Sequence, residues 1–321
     1  MNQIARDAFD EATRHALFRQ LGIDPAQLTD LGGFESFVFS RRDRGSIVRF
    51  THTSHRTLDQ VLAELDWIDF LAREGGAVCT PLRQKDGSLA CARGDFVVCE
   101  FSRAPGRPID KSDWQPGLFI EWGRCIGQFH HLTRQYVPAV GPRPDCTVDP
   151  NFDLQGLVPD QPLVLARARE VTQHFMAQPR SDSNFGLIHS DAHAGNFFTD
   201  NGRLVFFDFD DACYCWFAYD IATILLSAVL QQWIGDTQAE REAAAREFLP
   251  HFLEGYAGTC EVAPPLLEQL PLCLKFREIC LYGVICRYVT PEERDCYTDK
   301  FMAGRRGRIE RDEPYLALDF L

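Results

Sequence analysis

The sequence predicts an α+β protein folded in two lobes, a small lobe made mainly of strands and a larger lobe made mainly of helices. The first hundred residues read as short aromatic and β-branched segments plus one amphipathic helix, whereas the chain from residue 163 onward is mainly helical apart from a strand-like island at 186–209. In addition, 321 residues exceed the size, roughly 250 to 300 residues, at which single cores usually stop growing. We therefore expect one lobe at 1–101 and another at 102–321.

The elements of the first lobe follow from its apolar pattern. Apolar residues at loosely helical spacing over 4–21 predict a leading helix that stops at Gly22. The segments 34–40 and 47–51 predict a hairpin, and the stripe over 58–71 predicts an amphipathic helix. Further strands are predicted at 82–85, 89–91 and 96–101.

The second lobe opens with a helical stripe at 118–136, and six prolines within 138–162 then predict a loop. Inside the strand-like island, Asn201-Gly202 lies between two apolar runs, which is a strong signal for a tight hairpin. We therefore expect 196–199 to pair with 204–207.

The charge balance excludes one large class of partner. The chain has 33 basic and 46 acidic residues, a formal net charge of −13, which is the wrong sign for binding nucleic-acid phosphates. Residues 1–98 contain 12 basic and 14 acidic side chains, so most of the acidic excess belongs to the second lobe. This excess is typical either of a site for cationic ligands or of a solvated acidic surface.

The cysteine pattern and the apolar runs indicate the compartment. The twelve cysteines include no C-x-x-C pair, and the N-terminus carries charges where a signal peptide needs an apolar stretch. The longest apolar run, 221–230, is too short to span a bilayer. We expect reduced thiols, a cytoplasmic location and no membrane partner.

The island LIHSDAHAGNFFTDNGRLVFFDFDDA carries the candidate chemistry. The predicted hairpin would bring Asn196 nearly opposite Asp208, while Asp191 projects from the loop just before it. An amide oxygen and carboxylates, with no ring of His or Cys, are donors that suit Mg²⁺ shared with substrate phosphates.

The same segment resembles a known family. H-x-D-x-x-x-x-N, followed twelve residues later by D-F, has the spacing of a kinase catalytic loop and its magnesium-binding Asp. Together with Tyr219-Asp220-Ile221-Ala222, it resembles the signatures of the aminoglycoside phosphotransferase and choline kinase-like superfamily. The resemblance implies a bilobal protein kinase-like fold, ATP and Mg²⁺ as cofactors, and transfer of the γ-phosphate to a hydroxyl.

Residue by residue, the resemblance implies that Asp191 accepts the proton of the substrate hydroxyl and that Asn196 and Asp208 hold Mg²⁺. His189 would support the catalytic loop by packing. Ser190 stands where the family usually has Gly, which leaves the local backbone conformation open.

The resemblance also assigns residues that bind the nucleotide. Arg49 stands where such kinases usually have Lys, fifteen residues before its expected ion-pair partner Glu64. The backbone of Gly33 could approach phosphates closely, with an ordinary turn as the alternative. Glu100 and Ser102 resemble the segment between the lobes whose main-chain groups read adenine.

Three further features each have a structural and a functional interpretation. Asp220 precedes an apolar helical run and is interpreted as a helix N-cap, with bracing of the catalytic loop as the alternative. Asp210 and Asp211 are interpreted as solvated turn residues, with a role as extra metal or substrate ligands as the alternative. His193 is interpreted as a loop residue or as a neighbour that supports the catalytic residues.

The leading hypothesis is a kinase that phosphorylates a small molecule, and the acidic second lobe hints at a cationic amino alcohol, amino sugar or amino acid. The alternative is an atypical Ser/Thr protein kinase of the same superfamily. Two less favoured hypotheses are a metal-dependent hydrolase that uses His189, Asp191 and His193, and a silent nucleotide-binding module. The sequence makes no prediction of oligomeric state.

Overall fold

A computed structural model describes residues 3–149, 152–231 and 237–318. The chain divides into two compact units that are discontinuous in sequence. The first unit comprises Met1–Pro105, Tyr136–Arg143 and Val205–Asp210, and the second comprises Gly106–Gln135, Pro144–Leu204 and Asp211–Leu321. The last two segments of the first unit thus come from 102–321, the range predicted for the second lobe.

The described residues of the first unit form three α-helices and a five-stranded antiparallel sheet with the strand order β1-β2-β3-β5-β4. The helices are α1 (Gln3–Ala8), α2 (Glu11–Gln20) and α3 (Leu58–Arg73). The strands are β1 (Leu28–Gly32), β2 (Phe37–Arg41), β3 (Ser46–His52), β4 (Ala90–Arg93) and β5 (Phe96–Ser102).

Aromatic side chains on one face of this sheet form the core beneath α2. Phe18 of α2 packs edge-on against Phe39 and Phe50, with ring centroids 5.7 Å apart in both cases. The predicted single helix over 4–21 is wrong, because Asp10 caps a new helix by accepting a hydrogen bond from the Thr13 N–H. Phe9 lies at the break and stacks on Phe37 at 3.9 Å, so the interruption lets a partly buried aromatic ring pack against the sheet.

Two strand predictions in this unit also differ from the structure. Residues 82–85 form no strand: Pro81 makes an isolated bridge, and the Gln84 N–H donates to the Ser88 carbonyl within a tight loop. Proline lacks the N–H that a continuing ladder needs, which limits pairing here. Conversely, β1 was not predicted, although its residues pair with β2 ahead of the glycine loop.

The second unit is mainly helical, with short strands that carry the loops of the candidate site. Its helices are α4 (Pro116–Thr133), α5 (Leu154–Leu157), α6 (Pro162–Met176), α7 (Phe217–Gln231), α8 (Gln238–Ala257), α9 (Pro264–Tyr288), α10 (Cys296–Met302) and α11 (Arg305–Glu310). The short strands of this part of the chain are β6 (Phe185–Ile188), β7 (Phe197–Asp200), β8 (Arg203–Phe206) and β9 (Cys213–Trp216).

The predicted hairpin is confirmed, since β7 and β8 form a two-stranded sheet around the Asn201-Gly202 turn. Strand β9 lies beyond the strand-like island predicted at 186–209 and was not predicted; it pairs antiparallel with β6. This pairing places Ile188, the last residue of β6, opposite Cys213. The candidate catalytic loop therefore leaves a paired strand whose end is fixed.

Helices α4 and α8 cross at very short range through two glycines. A Cβ atom built on Gly123 would lie 1.8 Å from the Phe252 carbonyl oxygen, and one on Gly255 would lie 1.8 Å from the Ile120 carbonyl oxygen. Only residues without a side chain fit at this crossing. No helix within the described ranges is long and apolar enough to cross a membrane.

Candidate active site

The candidate catalytic loop begins directly after β6 with a backbone conformation that normally favours glycine. Ser190 has φ 70°, in the left-handed region, where Gly is favoured and a residue with a side chain is uncommon. The Ser190 N–H donates to the Asp220 Oδ1 at 2.8 Å, and the His189 N–H donates to the Asp220 Oδ2 at 3.4 Å. These hydrogen bonds hold the strained residue in place.

Asp220 thus braces the catalytic loop. Its interpretation as an N-cap is wrong, because α7 begins at Phe217 and Asp220 lies inside the first turn. The fully buried His130 of α4 bonds to the same carboxylate through Nε2 at 3.1 Å and to the Tyr256 hydroxyl through Nδ1 at 2.9 Å. Burial lowers the pKa of His130 more than Asp220 raises it, so the imidazole is neutral at pH 7.

Asp191 follows Ser190 in the loop, and both of its carboxylate oxygens have hydrogen-bond or ion-pair partners. Arg277 of α9 donates to Oδ1 at 2.9 Å, while His193 Nε2 lies 3.3 Å from Oδ2. Burial raises the pKa of Asp191, but the nearby His193 and Arg277 outweigh that effect and hold the pKa below its usual range. The Asp191 side chain remains 26% exposed, so an ionised carboxylate faces solvent.

The side chain of Asn196 is held against Asp191. Its side-chain amide donates to the Asp191 carbonyl at 2.9 Å and lies 3.4 Å from the Asp191 Oδ2. Because the amide nitrogen is used in this way, the amide oxygen is oriented as an acceptor. The structure therefore brings together Asp191 and Asn196 as the sequence predicts.

Asp208 belongs to the first unit, where it follows β8. It is exposed and has φ 65°, a conformation that is uncommon for a residue with a side chain and that recurs at functional sites. The Asn196 amide oxygen and the Asp208 carboxylate are both hard oxygen donors, which fit Mg²⁺ or Ca²⁺ by their chemistry. Their role as metal ligands stays a prediction.

Arg49 of β3 and Glu64 of α3 form a bidentate ion pair inside the first unit. The two guanidinium-carboxylate distances are 2.9 and 2.7 Å, and both side chains are buried. The pair that the fifteen-residue spacing predicts is present. Contact of Arg49 with phosphate stays a prediction.

The glycine loop between β1 and β2 is tightly folded. Gly33 has φ 155°, and a Cβ atom built on it would lie 2.0 Å from the Ser36 carbonyl oxygen. The Ser36 hydroxyl hydrogen-bonds to the Thr51 hydroxyl of β3 at 2.9 Å, which anchors the end of the loop to the sheet. Any side chain at Gly33 would force this loop to open.

The Glu100 carbonyl and the Ser102 N–H form hydrogen bonds within the first unit. The Glu100 carbonyl accepts from the Leu82 N–H at 2.7 Å, and the Ser102 N–H donates to the Thr80 carbonyl at 2.8 Å. The Glu100 carboxylate also accepts a hydrogen bond from Arg44. A role of these two residues in reading adenine stays a prediction.

A second charged cluster in the first unit was not recognised from the sequence. His55 Nε2 lies 2.6 Å from Asp210 Oδ2 and 3.1 Å from Glu35 Oε2, and Arg56 lies 3.3 Å from the same Asp210 oxygen. Asp210 is only 6% exposed, so its interpretation as a solvated turn residue is wrong. Burial lowers the pKa of His55, but hydrogen bonds to Asp210 and Glu35 outweigh burial and raise it to about 9.

Comparison with known proteins identifies the family. The APH model, described as the phosphotransferase enzyme family, matches residues 28–256. Amicoumacin kinase of Bacillus subtilis (strain 168) is 32% identical over 311 residues, which cover 93% of this chain and 91% of that protein. The chain belongs to the phosphotransferase enzyme family.

Solved structures agree with this assignment. A structure of amicoumacin kinase hAmiN in complex with AMP-PNP, Ca²⁺ and Ami superposes with a TM-score of 0.90 at 28% identity, covering 100% of this chain and 99% of that one. A microcompartment-associated aminopropanol kinase has the same fold, with a TM-score of 0.68 at 18% identity, covering 88% of this chain and 91% of that one. The predicted α+β, kinase-like fold and the superfamily resemblance are confirmed, as is the expectation of a phosphotransferase.

The candidate site also includes two residues that no sequence motif indicates. Arg277 and His130 contact the catalytic loop or its brace, yet they lie 86 and 60 residues away from Asp191 and Ser190 in the chain. No local motif marks either of them. A signal could have come only from knowing which helices pack beside the loop.

Proposed function

We propose that this phosphotransferase moves the γ-phosphate of Mg²⁺-bound ATP to a hydroxyl of a small molecule that carries an amino group. One observation carries the proposal: Asp191 presents an ionised, partly exposed carboxylate whose two oxygens are held by side chains from two separate segments. Phosphoryl transfer needs a fixed acceptor for the hydroxyl proton and correct positioning more than covalent catalysis. This carboxylate is suited to that task.

Each assigned residue has one task in the proposed reaction. Asp191 orients the acceptor hydroxyl and accepts its proton, and the side-chain oxygens of Asn196 and Asp208 are the groups that would serve as metal ligands. Arg49 contacts the nucleotide phosphates, and Glu64 fixes the direction of its guanidinium. When bound, Mg²⁺ neutralises charge on the transferring phosphate.

The glycine loop has a supporting task. The left-handed turn at Gly33 lets main-chain groups approach the phosphates, as expected of a glycine loop in a nucleotide-binding protein. Binding of a nucleotide analogue and a divalent ion by the similar hAmiN protein supports the assignment of ATP and Mg²⁺.

The acceptor is proposed from two independent observations. The curated relative that matches nearly the whole chain is an amicoumacin kinase, which makes amicoumacin the first acceptor to test. Residues 99–321 carry 21 basic and 32 acidic side chains, a balance that attracts a cationic acceptor. The relatives named above are kinases of small molecules, which favours this class of acceptor over a protein.

Mass spectrometry after incubation with MgATP tests the proposal. Amicoumacin is incubated beside a panel of amino alcohols, amino sugars and aminoglycosides with the wild-type protein, Asp191→Asn and Asp182→Asn. Asp182 is an exposed carboxylate in the turn before β6 and is the matched control. We expect a phosphorylated product from the wild type and from Asp182→Asn, but not from Asp191→Asn.

Two other outcomes would contradict parts of the proposal. Full activity of Asp191→Asn would remove Asp191 from the reaction. Absence of any phosphorylated small molecule, although MgATP still protects the protein against thermal unfolding, would contradict the acceptor class and favour a protein acceptor.

A further inference from the structure

Arg277 reaches the proposed catalytic carboxylate from a different part of the second unit. It lies on α9, and its guanidinium donates to the Asp191 Oδ1 at 2.9 Å. The side chain of Arg277 is 19% exposed and that of Asp191 is 26% exposed, so the pair is largely shielded from solvent. Charge-assisted hydrogen bonds in such surroundings are short and directional.

The backbone that carries Arg277 is anchored on both sides. Phe276 is fully buried and stacks on Phe175 of α6, with ring centroids 4.1 Å apart. Glu278 accepts hydrogen bonds from the Arg305 side chain and from the Tyr315 N–H. The position of Arg277 is therefore set by the helical core and not by the catalytic loop.

The other partners of the carboxylate come from its own loop. His193 and Asn196 both face the Asp191 Oδ2, and the His193 N–H also donates to the Asp191 carbonyl at 2.8 Å. These contacts shape the loop but move with it. The contact with Arg277 instead ties the carboxylate to α9, a helix outside the loop.

We propose that Arg277 is the positioning residue of this phosphotransferase: it fixes the direction in which Asp191 presents its carboxylate to the acceptor hydroxyl. The proposal rests on the proposed function, in which Asp191 is the catalytic base. A base must lie within hydrogen-bond reach of the proton it accepts, and a misplacement of about 1 Å can cost about 100-fold in rate.

The pairing is compatible with catalysis because of the reaction type. A cation beside the carboxylate makes it a weaker base, which would slow a reaction limited by proton abstraction. Phosphoryl transfer has a loose transition state, in which the base mainly orients the nucleophile. Arg277 therefore fixes the direction of the Asp191 carboxylate, and the weaker basicity that it causes slows this reaction little.

The test compares Arg277→Met, Arg277→Lys and Lys275→Met in the full-length protein. Lys275 lies on the same helix and pairs with Asp312, so Lys275→Met removes a cation from α9 without touching Asp191. The measurements are kcat and KM with amicoumacin as acceptor, calorimetric affinity for Mg²⁺ and AMP-PNP, and the midpoint of thermal unfolding.

We expect Arg277→Met to lower kcat about 100-fold while the affinity for AMP-PNP changes less than about twofold. Arg277→Lys should recover at least about tenfold of that loss, because an ammonium group keeps one charged hydrogen bond. Guanidinium ion added to Arg277→Met should restore part of the rate. Lys275→Met should retain kcat within about twofold.

Three results would overturn the proposal. The first is an Arg277→Met protein with kcat within about threefold of the wild type. The second is an equal loss of rate in Arg277→Lys and Arg277→Met without guanidinium rescue. The third is a fall in rate that is matched by loss of AMP-PNP binding and a lower unfolding midpoint, which would show a merely structural role.

Failure of the proposed function would look different. If Asp191→Asn keeps the wild-type rate, then the base assignment is wrong whatever Arg277 does. If amicoumacin is not an acceptor, the same variants are compared in the hydrolysis of ATP by water, a reaction in which the same carboxylate would orient the nucleophile. An unchanged hydrolysis rate in Arg277→Met, with Asp191→Asn inactive, would then overturn the positioning role alone.

Discussion

Arg49 and Glu64 form a bidentate ion pair that is almost entirely withdrawn from solvent, with guanidinium-carboxylate distances of 2.9 and 2.7 Å. The pair joins the central strand of the sheet to α3 inside the first unit. Bidentate geometry fixes the plane of the guanidinium, which a lysine at this position could not reproduce. The two residues therefore act as one element, and their substitutions should not be additive.

We predict that Glu64→Gln destabilises the protein by roughly 3 kcal/mol, because it leaves the Arg49 charge buried without its partner. Replacing both residues, Arg49→Met with Glu64→Leu, should recover part of that stability while KM for ATP stays raised. Urea unfolding and steady-state kinetics measure the two effects.

An exposed pair in the same unit provides the control. Arg83 and Asp69 are 2.7 Å apart, but Arg83 is 56% exposed, so Arg83→Met should cost less than about 1 kcal/mol. An equal loss of stability in Glu64→Gln and Arg83→Met would show that burial does not make the Arg49–Glu64 pair contribute more to stability than an exposed ion pair does.

The second prediction concerns pH and His55. Its pKa is raised from the usual 6.5 to about 9, because hydrogen bonds to Asp210 and Glu35 outweigh the effect of burial. The folded state therefore binds the proton more tightly than the unfolded state. The resulting stabilisation, at most about 3 kcal/mol, is complete below pH 6.5 and is lost as the pH rises through about 9.

Urea unfolding of the wild type and His55→Gln at pH 6.5, 8 and 10 measures this effect. The difference in the free energy of unfolding should shrink steadily as the pH rises. His15→Gln, which changes an exposed histidine on α2, should show no such trend. A difference for His55→Gln that is the same at all three pH values would contradict protonation of the folded imidazole.

Short sequence motifs predicted the parts of the candidate site whose residues lie close together in the chain. Asp191 and Asn196 lie five residues apart in one loop, and Arg49 and Glu64 lie on a strand and the helix that follows it, so motif and spacing were sufficient. Asp220 was misinterpreted because an Asp before an apolar run is usually a cap, whereas here the helix begins earlier, at Phe217.

Contacts between distant segments could not be predicted in the same way. The periodicity of α9 indicates a helix, but it does not reveal that Arg277 faces a loop 86 residues earlier. The same holds for His55 and Asp210, which are 155 residues apart. Such pairs depend on how helices and strands pack against one another, and this packing cannot be predicted from the pattern of a single sequence.

The third prediction follows from the left-handed conformation of Ser190. A side chain there costs roughly 1 to 2 kcal/mol, whereas Gly adds roughly 0.5 to 1 kcal/mol of backbone entropy to the unfolded chain. Ser190→Gly should therefore keep the activity and change the stability little. Ser190→Val should lower both, because a β-branched residue fits this conformation poorly.

Urea unfolding measures the stability of the two Ser190 variants, and kcat measures their activity. Because Asp220 binds the main-chain N–H of residue 190, that hydrogen bond survives in Ser190→Gly. A large loss of activity in Ser190→Gly would instead assign a role to the hydroxyl.

The last prediction concerns the crossing of α4 and α8, which carry His130 and Tyr256 of the loop brace. A Cβ atom on Gly123 would meet the Phe252 carbonyl oxygen at 1.8 Å, so Gly123→Ala must push the helices apart. Overpacking of this kind typically costs about 1 to 3 kcal/mol. Separation of the helices should also lengthen the hydrogen bond between His130 and Tyr256 and so lower kcat.

Gly117 is the matched control on the same helix. A Cβ atom there meets nothing within 4 Å, so Gly117→Ala should be neutral or stabilise the protein by up to about 1 kcal/mol through helix propensity. Urea unfolding measures both changes, and kcat reports the state of the brace. If Gly123→Ala were as stable as Gly117→Ala, the close approach of the two helices could not be what fixes the catalytic loop, and the support of Asp220 would have to come from α7 alone.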